Sequence, residues 1–205
     1  MERFLINPHG EIDGFLLAGG LEVHVLPHLS GEIRAAVQPG ASVSVFGVRP
    51  RNTEMIAAVA VETAPGKRIV DHGPPGHGRK GGKRGTPAHG EKPKQPPVEA
   101  EGIVGRPLHG PKGEVRCALL EDRRTIRIPP HEAEKRGTLL RPGARLVARG
   151  PGLTLEGVTV TDAEEVGTSL AALQALKSRK PKHDGDRHPK PGKPDKEHPK
   201  PPKPA

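Results

Sequence analysis

Tryptophan and tyrosine are absent from this 205-residue sequence, phenylalanine occurs three times and cysteine once. So little aromatic bulk excludes one large core, and any folded part must be a small module packed with Val, Leu, Ile and Ala. Cys117 alone excludes an intramolecular disulfide and a clustered thiolate metal centre, which leaves a reducing, cytoplasmic setting as the expectation. No apolar run is long enough to cross a membrane. The first residues, with Glu2, Arg3, Glu11 and Asp13 around a short apolar stretch, do not read as a signal peptide.

What the chain has in excess is glycine, proline and positive charge: 27 Gly, 25 Pro and a formal net charge of +9, with hydrophobic residues at only 32%. The charge is not spread evenly. Residues 65–97 hold eight Lys and Arg against Asp71 and Glu91, and residues 177–205 hold ten against Asp184, Asp186, Asp195 and Glu197. The rest of the chain sums to a slight negative charge. Both basic stretches are rich in Pro, Gly, Lys and His and nearly free of large apolar side chains, so they cannot bury enough surface to offset chain entropy. A disordered linker over 65–97 and a disordered Lys/Pro-rich tail over 178–205 are expected.

Between them the sequence repeats. Residues 10–47 align with 113–150 at a constant offset of 103, matching Gly10/Gly113, Glu11/Glu114, Leu16/Leu119, Pro27/Pro130, His28/His131, Pro39/Pro142, Gly40/Gly143 and Gly47/Gly150. Beyond that the alignment resumes at offset 99 with Ile56/Leu155, Val59/Val158 and Val61/Val160. Two copies at this spacing are tandem domains rather than a solenoid. Within each, apolar residues alternate, as in Leu21, Val23 and Val25 or Val43 and Val45, the signature of half-buried strands. Gly19-Gly20 supplies a hairpin turn. A short helix is expected over Ser30–Val37 with Ser30 as N-cap, and another from about His131 to Leu140. Phe4–Ile6 and Gly102–Val104 are expected to open the two copies. An all-β fold follows, with modules over 1–64 and 98–167. The Leu170, Leu173, Leu176 spacing predicts a short helix over 168–177, packed on the second module or free to dock.

The segments GEIDGFLL, EVHV, PGASVSVFG and IAAVAV, in this order, resemble the compact OB-fold barrel of bacterial proteins. The resemblance covers roughly residues 1–64 and 98–162. It implies two small Greek-key barrels whose middle strands and flanking loops commonly hold oligonucleotides. One departure stands out: single-strand-binding OB folds stack bases on aromatic rings, and only Phe4, Phe15 and Phe46 exist here, all in the first copy.

If the core-facing residues are Ile12, Val23, Val25, Val43 and Val45, their neighbours face outward, where the copies diverge in one direction. Asp13, His24, Ser42 and Phe46 become Arg116, Arg127, Arg145 and Arg149. These arginines are either solvated strand residues paired with nearby Glu or a cationic face that grips phosphates and stacks on bases. Phe15 and Phe46 suit a small core, and Phe46 is also a candidate base platform. In the linker, Arg79, Lys80, Lys83 and Arg84 are candidate phosphate contacts.

Signals for catalysis are weak. GPPGHGRKGGKRG fails the phosphate-loop spacing, because Gly82-Lys83 is followed by Arg84. Six of the eleven His lie in the linker and tail at irregular spacing, and the Pro27-His28 and Pro130-His131 pairs read as capping elements, so no metal site or cofactor is expected. Cys117 sits in an alternating strand and reads as a buried inert thiol. The expectation is a non-enzymatic nucleic-acid-binding protein, preferring single strands to duplex and attached to no membrane. The competing class is a protein-interaction module with solubilising charged tails, able to meet acidic partners.

Overall fold

A computed structural model of the chain describes residues 1–51, 53–64, 66–73 and 95–177. It is predominantly β, with two sheets and few helices. The first copy contributes β1 (Arg3–Ile6), β2 (Ile12–Leu16) and β3 (Glu22–His24), then α1 (Ser30–Ala36), β4 (Val43–Val48), β5 (Met55–Thr63) and β6 (Arg68–Val70). The second contributes β7 (Pro97–His109), β8 (Val115–Leu120), β9 (Thr125–Arg127), α2 (Pro130–Lys135), β10 (Arg145–Leu155) and β11 (Val158–Asp162), followed by β12 (Glu165–Gly167) and β13 (Gln174–Ala175).

The first sheet runs β1-β2-β3-β5-β4, with β3 and β5 parallel and β6 added to β5. The second repeats this order and closes it. β7 pairs β8 through its later half and β10 through its earlier half, β10 pairs β11, and β11 runs parallel to β9. In both copies the parallel contact requires a crossover after the third strand, and the helical segment supplies it. Ile12, Phe15, Val23, Val25, Ile33 and Val61 fill the first core, and Val104, Ala118, Leu120, Ile126, Ile128 and Leu146 the second. Val160, with Leu153, Leu155 and Val158 beside it, extends from the second copy into the first core, so the two copies form a continuous packed structure.

Several expectations are corrected. Residues 168–177 form no α-helix: Ser169 is extended, Leu170–Ala172 make one 3-10 turn, and Gln174–Ala175 pair with β12. So short a leucine stripe is a marginal helix in isolation, whereas pairing satisfies its backbone at once, with the Leu176 N–H donating to the Glu164 carbonyl at 2.7 Å. Ser30 is the first residue of α1 and not its cap, because a 3-10 turn over Pro27–Leu29 precedes it. The Ser30 hydroxyl instead accepts a 2.8 Å bond from the Ile12 N–H. The second helical segment is split into α2 and a 3-10 turn over Gly137–Leu140. Within residues 65–97, expected to be a disordered linker, Arg68–Val70 is a strand, and β7 begins at Pro97. Residues 74–94 and the tail from 178 lie outside the described residues.

Candidate functional site

Two of the four positions singled out as an outward cationic face, Arg116 and Arg127, are found between the two copies. The outer faces of β2–β3 and β8–β9 pack against each other, and Asp13 of β2 lies at the centre. Its Oδ2 accepts from Arg116 Nη2 at 3.0 Å and from Arg127 Nη1 at 2.9 Å. Side-chain exposure is 11% for Asp13, 16% for Arg116 and 26% for Arg127, so all three are largely withdrawn from water. Beside them the buried Glu22 carboxylate accepts from the His109 backbone N–H at 2.8 Å and lies 3.0 Å from His109 Nδ1. An apolar cluster of Leu5, Leu16, Leu108 and Cys117, flanked by Leu119, completes the contact.

The contacts are reciprocal. Arg3 Nη2 donates to the Arg123 carbonyl at 2.8 Å, and Arg106 donates to the Gly20 carbonyl. Arg3 and Arg106 are equivalent at the offset of 103, and so are Gly20 and Arg123. Leu5 answers Leu108, and Leu16 answers Leu119, in the same cluster. The Gly10 turn rests on Leu153 and Leu155, while its counterpart at Gly113 rests on Pro50 and Thr53. A residue that meets its own equivalent is the pattern of an isologous two-fold contact, here made within one chain.

Burial shapes the chemistry of this layer. His24 is held below its ordinary value first by burial and then by the Arg116 charge, with Asp13 and Glu22 opposing. The Cys117 thiol is pushed well above its usual range by burial. A high-pKa buried thiol is a poor nucleophile, consistent with an inert Cys117. The cavity among Asp13, Glu22, His24, His109, Arg116 and Cys117 is about 20 Å³, room for one water and not for a ligand.

The other two arginines of the set are exposed but also paired. Arg145 contacts Glu101, and Arg149 lies 2.8 Å from Glu99 and 3.1 Å from Glu165. Glu99 and Glu165 stand directly opposite Arg149 on the two neighbouring strands, so these are cross-strand pairs that lace β7, β10 and β12 together. Phe46 is 44% exposed on β4, with the Arg68 guanidinium 4.9 Å from its ring centroid. Phe15, in contrast, is fully buried. Arg79, Lys80, Lys83 and Arg84 lie outside the described residues.

No known protein family, curated protein or solved structure matches this chain. Among the described residues, no three His, Cys, Asp or Glu side chains are grouped so as to hold a metal ion, and no helix is long and apolar enough to cross a membrane. An open cleft of about 730 Å³ beside α2 is lined by Pro107, Val115, Pro130, Leu140 and Pro142 among others, and its lining contains no Ser, Thr, Cys or Lys.

Sequence reasoning placed Arg116 and Arg127 on an outer face but missed Asp13, Glu22, His24 and His109 as parts of one buried layer. A signal was present. Asp13 and Arg116 are opposite charges at one aligned position, and in a reciprocal packing such a position meets itself.

Proposed function

We propose that the chain is a non-enzymatic nucleic-acid-binding protein in which two OB-like barrels serve as a scaffold and the basic stretches outside it make the phosphate contacts. The strand order, the parallel contact between third and fifth strands and the helix after the third strand support the OB-like reading. The face that such barrels commonly offer to oligonucleotides is spent here on the other copy.

The observation that carries this reading is the division of charge. The described residues hold 18 Lys and Arg against 19 Asp and Glu, while the remainder hold 15 against 5. Phosphate attraction follows that local excess. The test is a salt titration of binding to a labelled oligothymidine, comparing the full chain with a variant that ends at Lys177 and carries Arg79, Lys80, Lys83 and Arg84 as Gln. The full chain should bind with affinity falling steeply in salt, about 0.7 in log K per log salt for each phosphate neutralised. The variant should lose both affinity and slope. Equal binding by the two, or none by either, overturns the reading.

The second reading, a protein-interaction module, is favoured by one feature of the first copy: apolar residues stand exposed along β4 and β5 at Phe46, Val48 and Val59.

A further inference from the structure

The two copies differ at one sheet edge. In the second copy, Val104 exchanges two backbone hydrogen bonds with Gly143 and Ala144, both 2.8 Å, and the ladder then continues from Ile103 opposite Arg145 to Pro97 opposite Pro151. In the first copy the equivalent Met1 makes the same two bonds, to Gly40 at 2.8 Å and Ala41 at 2.5 Å. Among the described residues no strand continues that ladder along β4, whose only partner is β5. The consequence shows in burial: Leu146 and Ala148 are fully buried, whereas their counterparts Val43 and Val45 are only half-covered.

The open edge carries neither charge nor proline to blunt it, and the register irregularity between Phe46 and Gly47 leaves the Val43–Phe46 stretch regular. β4 reads V-S-V-F-G-V, with no charge and no proline, and Phe46, Val48 and the neighbouring Val59 are 44%, 65% and 50% exposed. Such an edge is a template for another strand. Residues 74–94 and 178–205 contain no run of five free of both Pro and Gly, and proline removes ladder donors. In the second copy the added strand carries Glu99 and Glu101 to meet Arg149 and Arg145. The first copy has Phe46 and Ser42 at those places, so an uncharged occupant suits it there. β4 itself fits that description.

We propose that the outer edge of β4 pairs antiparallel with β4 of a second copy, extending the sheet across a two-fold axis. An axis at Val45 sets Val45 against Val45 on the inner face and Ser44 against Phe46 on the outer face, a self-complementary neutral seam. This inference stands apart from the nucleic-acid reading.

The test is the solution mass of the full chain by sedimentation across a concentration series, with hydrogen exchange at low and high concentration. The full chain should pass from monomer to dimer, with protection gained in the β4 amides. Ser44→Lys with Phe46→Lys places two cations on the exposed face of the strand and should hold the chain monomeric at concentrations where the parent is fully dimeric. If the double variant fails to fold, Ser44→Lys alone carries the same expectation. A parent that stays monomeric to its solubility limit, variants that dimerise equally, or a dimer whose new protection lies away from β4 overturns the proposal.

Discussion

Asp13 and Arg116 occupy the same position in two copies of one module and meet across the contact between them, Oδ2 to Nη2 at 3.0 Å. A symmetric contact between identical copies would bring like charges together at this point. Divergence after duplication removes that penalty, because one copy can carry the carboxylate and the other the guanidinium. Arg127 adds a second donor to the same oxygen, so two guanidiniums converge on one largely buried carboxylate.

The first prediction concerns that carboxylate. Asp13→Ala leaves two largely buried guanidiniums without a partner, and breaking a buried pair from one side costs about 3 kcal/mol. Urea denaturation measures it. Replacing all three groups, as Asp13→Leu with Arg116→Met and Arg127→Met, removes the unpaired charge and should recover most of the loss. A cost below about 1 kcal/mol for Asp13→Ala, the level of an exposed pair, would place these side chains in solvent.

A second concerns pH. Folded His24 releases its proton below the ordinary 6.5 because burial and the Arg116 charge disfavour imidazolium. A lowered folded-state value means that this group's contribution is present above the unfolded value and is lost as pH falls through the folded one. Unfolding free energy should therefore decline on acidification through the histidine range, and His24→Gln should flatten part of that decline. An unchanged pH profile in the variant contradicts the placement of His24.

The backbone yields a third. Arg123 has φ +73°, while its equivalent Gly20 has φ +84°. The left-handed region costs a side-chain-bearing residue about 1 kcal/mol that glycine avoids, partly offset by the extra freedom of glycine in the unfolded chain. Removing the guanidinium also relieves Arg3, whose pKa is lowered by burial and then by Arg123. Arg123→Gly keeps the carbonyl that accepts from Arg3 and should raise stability by about 0.5 kcal/mol or more. A loss of stability would mean that the Arg123 side chain makes an essential contact.

Strand positions, the repeated strand order and the burial of Cys117 were legible in the sequence because each rests on local period or on self-similarity. Ile12, Val23 and Val25 alternate, and all are buried. Asp13 and His24 alternate with them and do point away from their own core. Their burial comes from the other copy, which no local pattern reports. The stretch Thr168–Lys177 misled for a related reason: its leucine spacing suits a helix, but β12 offered a strand partner. Arg145 and Arg149 read either as solvated strand residues paired with nearby Glu or as a cationic face; they are exposed and paired with Glu, and the ladder, not the local sequence, names the partners on β7 and β12.

Cys117 gives the most direct test of face-to-face packing, since it sits with Leu5, Leu16 and Leu108 in the apolar part of the contact. The measurement is its alkylation rate by iodoacetamide in the native full chain, in the urea-unfolded chain and in native Asp13→Ala. Native Cys117 should be protected by orders of magnitude relative to the unfolded chain, and Asp13→Ala should react faster in proportion to its lost stability. Native labelling at the unfolded rate would show the two faces to be open to solvent and would overturn the face-to-face packing of the two copies.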